Sequence, residues 1–414
     1  MKKALLLLLV VSIVFAGFAG AVKITYWQYY YETKVKLIDQ LIEEFEKQNP
    51  GIEVEQVTFP YENFNEKVAV SVPAGVGPDV LTLFYGWIPL YVTSGYLVPL
   101  PAAEFSPEYL SSEFFPFVSK GIEFSGVPYA LPTAVRALAL FWNKDLFAEA
   151  GLDPETPPTT FAELVDYAKK LTKYDDKGNI IQEGLTMQPS GQGHQWIREV
   201  LVRQVGGTPY TADNRTVLYH LTAPEALKVY TDLITKDKVG YPGFLNDDVT
   251  AFRSLKAAMT IDGSFRLGTF RPLTNLKWGV TELPSMNGVK SNFASFWAHA
   301  ITTNATGEKL DASIKFLKFI TSEYAQKLWL EQVGELPANP NVAAAYYDHP
   351  EYGPFLKGLE YAHATFFVDE TGQRQVMMDA VDKVWIQGMD PVKAFKEAAE
   401  EDQAIIDEFW SRAE

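Results

Sequence analysis

The sequence predicts an α/β protein built from open sheets flanked by helices. Three observations lead to this class: short β-rich runs alternate with amphipathic helical patterns, proline and glycine separate them, and no internal repeat occurs. At roughly 150 residues per domain, the 414 residues suffice for two or three domains, each with its own core. Because open α/β sheets bind ligands at the carboxyl ends of their strands, residues that follow strands are the first site candidates.

The first elements form one strand–helix–strand unit. Residues 22–26 are a short β-rich run, and residues 33–48 place apolar side chains at three- and four-residue spacing, as an amphipathic helix does. Asn49-Pro50-Gly51 ends the helix, and residues 52–57 alternate as a strand. A strand, a helix and a second, parallel strand make a βα unit.

Four later segments continue the pattern. Residues 79–84 and 135–142 are predicted strands, and Phe141 and Trp142 should be core residues because they lie within the second of these. Residues 161–172 follow Pro157-Pro158-Thr159-Thr160 and predict a helix, and residues 391–410 predict a C-terminal helix. The segments that directly follow strands are 27–32, 84–87 and 262–266.

The composition excludes several classes of function. The chain has no Cys, and its 52 acidic against 36 basic residues give a net charge of −16. A thiolate zinc site, a thiol nucleophile and an iron–sulfur cluster all need cysteine sulfur. Nucleic acid and anionic membrane surfaces are not expected as partners, because the basic excess that binds phosphate is missing.

Residues 1–21 have the pattern of a secretory signal. Residues 1–3 are basic, residues 4–18 are almost unbroken apolar sequence, and Ala19-Gly20-Ala21 is an A-x-A cleavage site. An uncleaved membrane anchor is the alternative, although the apolar run is short for a span. No Cys follows the run to carry a lipid. We therefore expect an exported, periplasmic, soluble protein that begins at Val22 and is not lipid-anchored.

Six segments occur in the order and spacing of one known family. They are WQYYYETKVKLIDQLIEEFEKQNPGIEVE, GVGPDVLTLFYGW, SGYLVPL, GVPYALPTAVRALALFWNKDLFAEAGLDP, AAMTIDGSF and WGVTELP. Together they resemble the extracellular solute-binding proteins of carbohydrate ABC transporters, the family that contains maltose-binding protein. The resemblance extends from about Val22 to about Glu335, and beyond that it rests on the helix near Pro391.

This resemblance implies a two-lobed periplasmic-binding-protein fold, with each lobe an open sheet flanked by helices and a hinge of three crossings. It implies no catalysis and no cofactor. The implied partners are a carbohydrate ligand and the membrane-embedded permease subunits of an ABC transporter, with the protein itself a monomer. The expected division is 22–131 plus 284–333 for the N-terminal lobe, 134–282 plus 340–414 for the C-terminal lobe, and 131–133, 283–285 and 334–339 for the hinge.

The resemblance also implies where the ligand is held. Residues 27–32 fall on polar sugar contacts of the family, and Trp87 falls on the second contact loop of the N-terminal lobe. Arg136 stands where maltose-binding protein has an acidic contact. Phe265 stands where that protein has a tryptophan that stacks on a sugar ring. Such exchanges imply the same cleft with a changed ligand.

Two further positions come from counting back from Gly206-Gly207. His194 and Trp196 fall there on an acidic and an aromatic contact of the family. The full set of predicted ligand-binding residues is Tyr29, Tyr30, Glu32, Trp87, Arg136, His194, Trp196, Asp262, Phe265, Arg266, Trp297 and Glu335. No catalytic residue and no metal ligand is predicted.

The chemistry of these residues suits a sugar. A pyranose has apolar faces and a rim of hydroxyls, so its site needs flat aromatic surfaces and charged or amide side chains. Other solutes stay open at this point: Arg136, Arg266 and His194 also suit an acidic or phosphorylated sugar, and Tyr29-Tyr30-Tyr31 suits ferric ion. A secreted glycoside hydrolase is the enzyme alternative, since 52 acidic residues could include a catalytic pair.

Several conspicuous residues are predicted to be structural instead. Asp79 should bond nearby backbone N–H groups at a turn. Trp329, Trp385 and Trp410 fall in helical patterns, for which packing is the expectation. Arg374 is predicted to be a solvated surface residue.

Overall fold

The computed structural model describes residues 20–413 of the chain. The predicted signal segment therefore lies outside the described residues, except for Gly20 and Ala21. Within residues 20–413, none of the helices combines the length and the apolar character needed to cross a membrane.

The described chain alternates strands and helices. The strands are β1 (Val22–Tyr29), β2 (Ile52–Phe59), β3 (Val80–Phe84), β4 (Glu123–Phe124), β5 (Val127–Pro128), β6 (Ala130–Asn143), β7 (Lys173–Tyr174), β8 (Ile180–Gln182), β9 (Met259–Gly263), β10 (Trp278–Thr281), β11 (Asn292–Ile301), β12 (Leu336–Pro337) and β13 (Ala362–His363). The helices are α1 (Glu32–Gln48), α2 (Tyr61–Ser71), α3 (Ile88–Thr93), α4 (Pro107–Glu113), α5 (Pro116–Gly121), α6 (Lys144–Glu149), α7 (Phe161–Leu171), α8 (Val202–Gln204), α9 (Tyr219–Thr222), α10 (Ala226–Thr235), α11 (Asp248–Arg253), α12 (Leu267–Phe270), α13 (Glu308–Ile320), α14 (Glu323–Leu328), α15 (Pro340–Ala344), α16 (Gly353–Leu359), α17 (Glu370–Trp385) and α18 (Pro391–Ala413). Short 3-10 turns follow β3 and β9, and wide π-helical turns occupy Pro189–Gly193, Trp196–Leu201 and Trp329–Val333.

Nine strands form one mixed sheet in the order β10-β6-β11-β3-β1-β2, with β9 and β12 also paired to β6 and β13 paired to β11. The strands β2 and β3 run parallel to β1, whereas β11 runs antiparallel to both β3 and β6. The predicted α/β class and the predicted first βα unit are confirmed. Residues Val22 to Tyr29 pair in register with Ile52 to Phe59, and α1 connects the two strands.

The predicted apolar stripe packs α1 against the sheet. Leu37, Ile38, Leu41 and Phe45 are all buried, and they recur at the three- and four-residue spacing of one helix face. Burial of this face, rather than helix propensity alone, stabilises the helix.

The longest strand of the sheet is β6, with 14 residues. Along it every side chain is buried except that of Arg136, which is half-buried. Its first half, to Ala137, pairs with β11, and its second half, from Leu138, pairs with β9. A strand covered on both faces shows a continuous apolar run rather than alternation, which explains the sequence of residues 135–142.

The predicted hinge segment Leu131–Thr133 lies inside β6, so Pro132 is an interior residue of this strand. A register shift occurs here, because Trp297 pairs with Ala134 while Ala298 pairs with Pro132. Proline has no N–H to give to a sheet ladder, and Thr133 is the extra residue of the resulting bulge. The change of partner strand comes later, between Ala137 and Leu138.

The other two predicted crossings fall at different kinds of structure. Residues 283–285 lie between β10 and β11, where Ser285 forms a bridge with Thr160. Residues 334–339 begin at Gly334, whose φ of 80° is left-handed, and include β12 paired to β6. The division into two lobes itself remains a prediction.

The structural role of Asp79 fits the expectation. Its carboxylate accepts a hydrogen bond of 2.8 Å from the backbone N–H of Thr25 and pairs with Lys309 at 3.1 Å. It therefore ties the start of β3 to β1 and α13.

The three tryptophans predicted to pack differ. Trp329 is buried, and Trp410 stacks on Phe124 with ring centroids 5.4 Å apart. Trp385 is 38% exposed and lies at the last residue of α17, where it stacks only on Tyr241. The packing prediction is therefore wrong for Trp385, because more than a third of this residue remains exposed.

Candidate ligand-binding site

Residues at or near the ends of β1, β3 and β9 belong to a set of two contact groups that meet at Lys34. We call this set the strand-end site, and it consists of Tyr29, Trp87, Arg136, Asp262, Phe265, Arg266, Trp297 and Glu335. All eight residues were predicted from the sequence.

Five aromatic rings form one side of the site. The Trp297 ring is at their centre, and its centroid lies 4.5 Å from Tyr29, 5.4 Å from Trp87, 5.9 Å from Phe84 and 6.2 Å from Tyr61. We call these five rings the aromatic cluster. Trp297 of β11 pairs with Phe84 of β3, and this pairing brings these two rings together. Because Trp87 and Trp297 are half-buried and Tyr61 is 52% exposed, the cluster keeps accessible ring surface.

A buried carboxylate lies next to the cluster. Oε1 of Glu335 accepts hydrogen bonds from Nη2 of Arg136 and pairs with Nζ of Lys34 at 2.9 Å. Burial alone would raise the pKa of Glu335, but Arg136 and Lys34 outweigh it and lower the pKa to about 2. Burial disfavours the guanidinium of Arg136, yet Glu335 keeps its pKa above the ordinary value. Both groups are therefore charged at neutral pH.

The third part of the site comes from the turn after β9. The Phe265 ring lies between two guanidinium groups, with its centroid 5.2 Å from Cζ of Arg136 and 5.0 Å from Cζ of Arg266. Arg266 also pairs with Asp262 at 2.7 Å. Burial raises the pKa of Asp262, and Arg266 opposes that rise.

Gly263 permits this arrangement by close approach. A Cβ atom at this position would lie 2.1 Å from Cε1 of Phe265. Only glycine therefore lets the Phe265 ring fold back over the end of β9.

Two predicted residues lie at the exposed start of α1. Tyr30 is 58% exposed, and Glu32 forms an ion pair of 2.6 Å with Lys36 on the solvent side of the helix. The structure does not bring Glu32 into contact with the strand-end site.

His194 and Trp196 are buried in a different environment. Nδ1 of His194 lies 3.0 Å from the carbonyl oxygen of Pro189, and burial lowers the pKa of this histidine to about 3. Trp196 is 4% exposed and packs edge-to-face on Tyr230 with centroids 5.6 Å apart. Such burial favours a packing role for both, so neither enters the site proposed below.

Sequence reasoning missed Lys34, which pairs with Glu335 beneath the aromatic cluster. A usable signal was present. Lys34 precedes Leu37, Ile38 and Leu41 by three, four and seven residues, so it lies on the buried face of α1. A lysine in phase with an apolar stripe needs a partner inside the protein.

The sequence analysis also left the start of α17 out of the predicted site. Arg374 pairs there with Glu370, four residues earlier. Burial raises the pKa of the Tyr61 phenol, Glu370 raises it further, and Arg374 lowers it. These two side chains therefore lie within electrostatic reach of the aromatic cluster, and Arg374 is only half-exposed rather than fully solvated.

A separate pocket has a volume of about 440 Å³. Its lining includes Tyr85 and Gly86, which directly follow Phe84 of the aromatic cluster. It is lined by α5 on one side, by Glu199 and Arg203 on the other, and by residues 360–367. None of the twelve predicted ligand-binding residues lines it. Within residues 20–413, no group of three or more His, Asp or Glu side chains is arranged to hold a metal ion.

The chain has relatives among known proteins. Residues 40–354 match the model of a family described as bacterial extracellular solute-binding protein. A maltotriose-binding protein of Pyrococcus abyssi is 24% identical over 77% of this chain and 67% of its own length. An sn-glycerol-3-phosphate-binding periplasmic protein of Salmonella paratyphi A is also 24% identical, over 97% of this chain and 96% of its own.

The fold has counterparts among solved structures. The cyclic α-maltosyl-1,6-maltose-binding protein of Arthrobacter globiformis superposes with a TM-score of 0.83 at 23% identity, over 94% of this chain and 99% of its own. At that identity the likeness concerns the fold, which is the two-domain architecture of periplasmic binding proteins.

Proposed function

The chain belongs to the bacterial extracellular solute-binding protein family, and we propose that it binds a neutral saccharide at the strand-end site and delivers it to the permease subunits of an ABC transporter. The observation that carries this proposal is that Lys34 links the aromatic cluster to Glu335 and Arg136, with three guanidinium–carboxylate pairs in or near the site. These pairs are Arg136–Glu335, Arg266–Asp262 and Arg374–Glu370.

Sugar chemistry matches both halves of this arrangement. The apolar C–H faces of a pyranose stack on flat rings, and two half-buried rings are available, Phe265 in the turn after β9 and Trp297 in β11. Hydroxyl groups both donate and accept hydrogen bonds. A guanidinium beside a carboxylate supplies a donor and an acceptor within one pair, which suits adjacent hydroxyls.

The charge of the site favours a neutral ligand over a phosphorylated one. Each arginine of the three pairs already has a carboxylate partner. The additional cation, Lys34, has a side chain that is 4% exposed and cannot reach a ligand without leaving Glu335. A phosphate would therefore meet no uncommitted cation among these residues, and it would lose hydration without compensation.

The names of the relatives support two classes of solute. Maltotriose and cyclic maltosyl-maltose favour a saccharide. The glycerol-3-phosphate relative is the reason to test an anionic ligand directly. Export to the periplasm, with cleavage before Val22, fits an extracellular solute-binding family and is part of the proposal.

Binding without hydrolysis is also part of the proposal. A glycoside hydrolase needs a protonated carboxyl group facing an ionised one. The pKa of about 2 keeps Glu335 ionised, and Asp262 is committed to Arg266 and to the backbone N–H of Gly263. Incubation with maltotriose should leave the number of reducing ends unchanged.

Calorimetric titration of the mature protein with maltose, maltotriose, cyclic maltosyl-maltose and glycerol 3-phosphate tests the ligand class. A thermal-shift screen extends it to other saccharides, because a ligand at 100 times its Kd adds about 2.7 kcal/mol of stability. We expect a saccharide to bind and glycerol 3-phosphate not to bind. If glycerol 3-phosphate alone binds, the ligand of this protein is an anion and not a neutral saccharide. If no saccharide binds, the proposal is refuted.

The site residues are tested by Phe265→Ala. Stacking one sugar face buries on the order of 100 Å² of apolar surface, worth roughly 2.5 kcal/mol, so affinity should fall roughly 10- to 100-fold. The matched control is Tyr174→Ala, an exposed aromatic residue on β7. Equal affinity of the two variants would remove Phe265 from the site.

A further inference from the structure

Lys34 is a buried cation that the sequence did not single out. Its side chain is 4% exposed, and it lies in the first turn of α1 on the face that packs against the sheet. An ammonium group leaves water only at a high cost, so its surroundings must compensate for the lost hydration. The compensating groups show what Lys34 holds in place.

Two oxygens and four rings surround the ammonium group. Nζ donates a hydrogen bond of 2.9 Å to Oη of Tyr29 and lies 2.9 Å from Oε1 of Glu335. It also lies 5.5, 5.8, 5.7 and 5.5 Å from the ring centroids of Tyr29, Tyr31, Trp297 and Trp329. All four distances are within the roughly 6 Å at which a cation is attracted to a ring face.

These contacts join the two halves of the proposed site. Tyr29 and Trp297 are members of the aromatic cluster, and their centroids are 4.5 Å apart. Glu335 in turn holds Arg136, whose guanidinium group lies over Phe265. The hydrogen bond to Oη of Tyr29, the approach to the Trp297 ring and the ion pair with Glu335 therefore hold these three side chains in place relative to one another.

We infer that Lys34 is a positioning residue: without touching the ligand, it sets the orientation of the aromatic cluster and of the Glu335–Arg136 pair that the ligand contacts. This inference rests on the proposed function. It adds a residue on α1 to a site otherwise built from strand ends.

The charge of Glu335 supplies a second readout, the dependence of binding on pH. The charged and titratable groups that face Glu335 are Lys34 from α1 and Arg136 from β6, with Tyr29 and Tyr31 beyond them. Both cations contact the same oxygen, Oε1. Removal of Lys34 leaves a buried carboxylate with one cation, so protonation of Glu335 should move upward into the acidic range where binding can be measured.

The test is Lys34→Met in the full mature chain, titrated with maltotriose between pH 4.5 and 7.5. The matched control is Lys36→Met, which lies on the same helix but is 71% exposed. We expect Lys34→Met to weaken binding at least tenfold at pH 7.5 and to weaken it further on acidification. Wild type and Lys36→Met should bind alike, without that acid-dependent loss. Adding Glu335→Gln to Lys34→Met should abolish the acid-dependent part.

The outcomes separate this inference from the function on which it rests. If wild type binds no saccharide, the proposed function fails. If wild type and Lys34→Met bind maltotriose equally, or if Lys34→Met melts lower with unchanged affinity and pH profile, the positioning role is refuted. Should Lys34→Met not fold, Lys34→Gln, which keeps a donor but no charge, carries the same expectations.

Discussion

At the scale of single residues, two aromatic side chains with the same predicted role have different surroundings. Phe265 is half-buried near Arg136 and Arg266, so part of its ring remains available. Trp196 packs on Tyr230 and Phe161, with little of its indole reaching solvent. An aromatic residue binds a sugar only if the protein leaves one of its faces uncovered.

Trp196→Ala should therefore unfold the protein more easily rather than weaken ligand binding. Truncating a buried tryptophan costs about 3–5 kcal/mol of unfolding free energy, because apolar contacts are lost and a cavity remains. Urea unfolding of the ligand-free protein measures this loss, with the exposed Trp385→Ala as control. If the Trp196 variant keeps wild-type stability but loses ligand affinity, the indole contacts the ligand after all.

Because of the buried His299, the folded protein should lose stability in acid. Its ring nitrogens lie 3.0 Å from the hydroxyls of Tyr26 and Thr133, and burial, with a smaller contribution from Lys34, lowers its pKa from 6.5 to about 3. Between these two values the unfolded chain binds a proton that the folded protein does not. The contribution of His299 is therefore full above pH 6.5 and is lost as pH falls toward 3, by about 1.4 kcal/mol per pH unit.

His299→Gln should reduce the slope of unfolding free energy against pH by the contribution of one proton. Glutamine can replace the hydrogen bonds of His299 but does not titrate. Unfolding free energies at pH 7, 6 and 5 for wild type and variant give the two slopes. His194, whose pKa is also about 3, retains its own contribution in both proteins. Parallel slopes would show that His299 takes up its proton without unfolding.

At the scale of elements, the residues before α7 both predict the helix and cap its first turn. The helix predicted after Pro157-Pro158-Thr159-Thr160 is α7, and Thr160 caps it. The Thr160 side chain accepts a hydrogen bond from the backbone N–H of Glu163, and the Glu163 carboxylate accepts one from the backbone N–H of Thr160. This reciprocal pair satisfies two donors that the first helical turn leaves free.

Thr160→Ala should cost about 1 kcal/mol of unfolding free energy, because one of these donors loses its acceptor. Thr160→Ser keeps the hydroxyl group and should lie within a few tenths of wild type. Denaturant unfolding of the three proteins measures both differences. An alanine variant as stable as the serine variant would show that water replaces the cap.

At the scale of the whole molecule, β6 and β11 connect distant parts of the sheet. The partner of β6 changes from β11 to β9 between Ala137 and Leu138, immediately after Arg136. Under the predicted division into two lobes, the proposed ligand would lie next to the point where the lobes are joined. A rotation about this point would open or close the strand-end site.

Ligand binding should make the molecule more compact. A cleft between two lobes has to open to admit a sugar and close to bury most of its surface. Small-angle scattering should show a smaller radius of gyration with saturating saccharide than without it. An unchanged radius with a ligand whose binding is confirmed by calorimetry would exclude hinge closure.

The sequence by itself determined the class of the fold, the first βα unit, the helices α1, α7 and α18 and the strand ends next to the proposed site. These features depend on local chemistry. The apolar spacing in α1 and the residues before α7 act over three or four positions, so a linear chain displays them directly.

Only the tertiary structure decided which side chains meet. Trp196 became a core residue because Tyr230 and Phe161, more than 30 positions away, cover it. Lys34 reached the site because Glu335, about 300 positions later, needs a second cation. Pro132 stayed inside β6 because a bulge at Thr133 accommodates it in the pairing with β11. Burial and charge pairing are sums over neighbours that the order of residues does not display, so these contacts could not be inferred from sequence pattern.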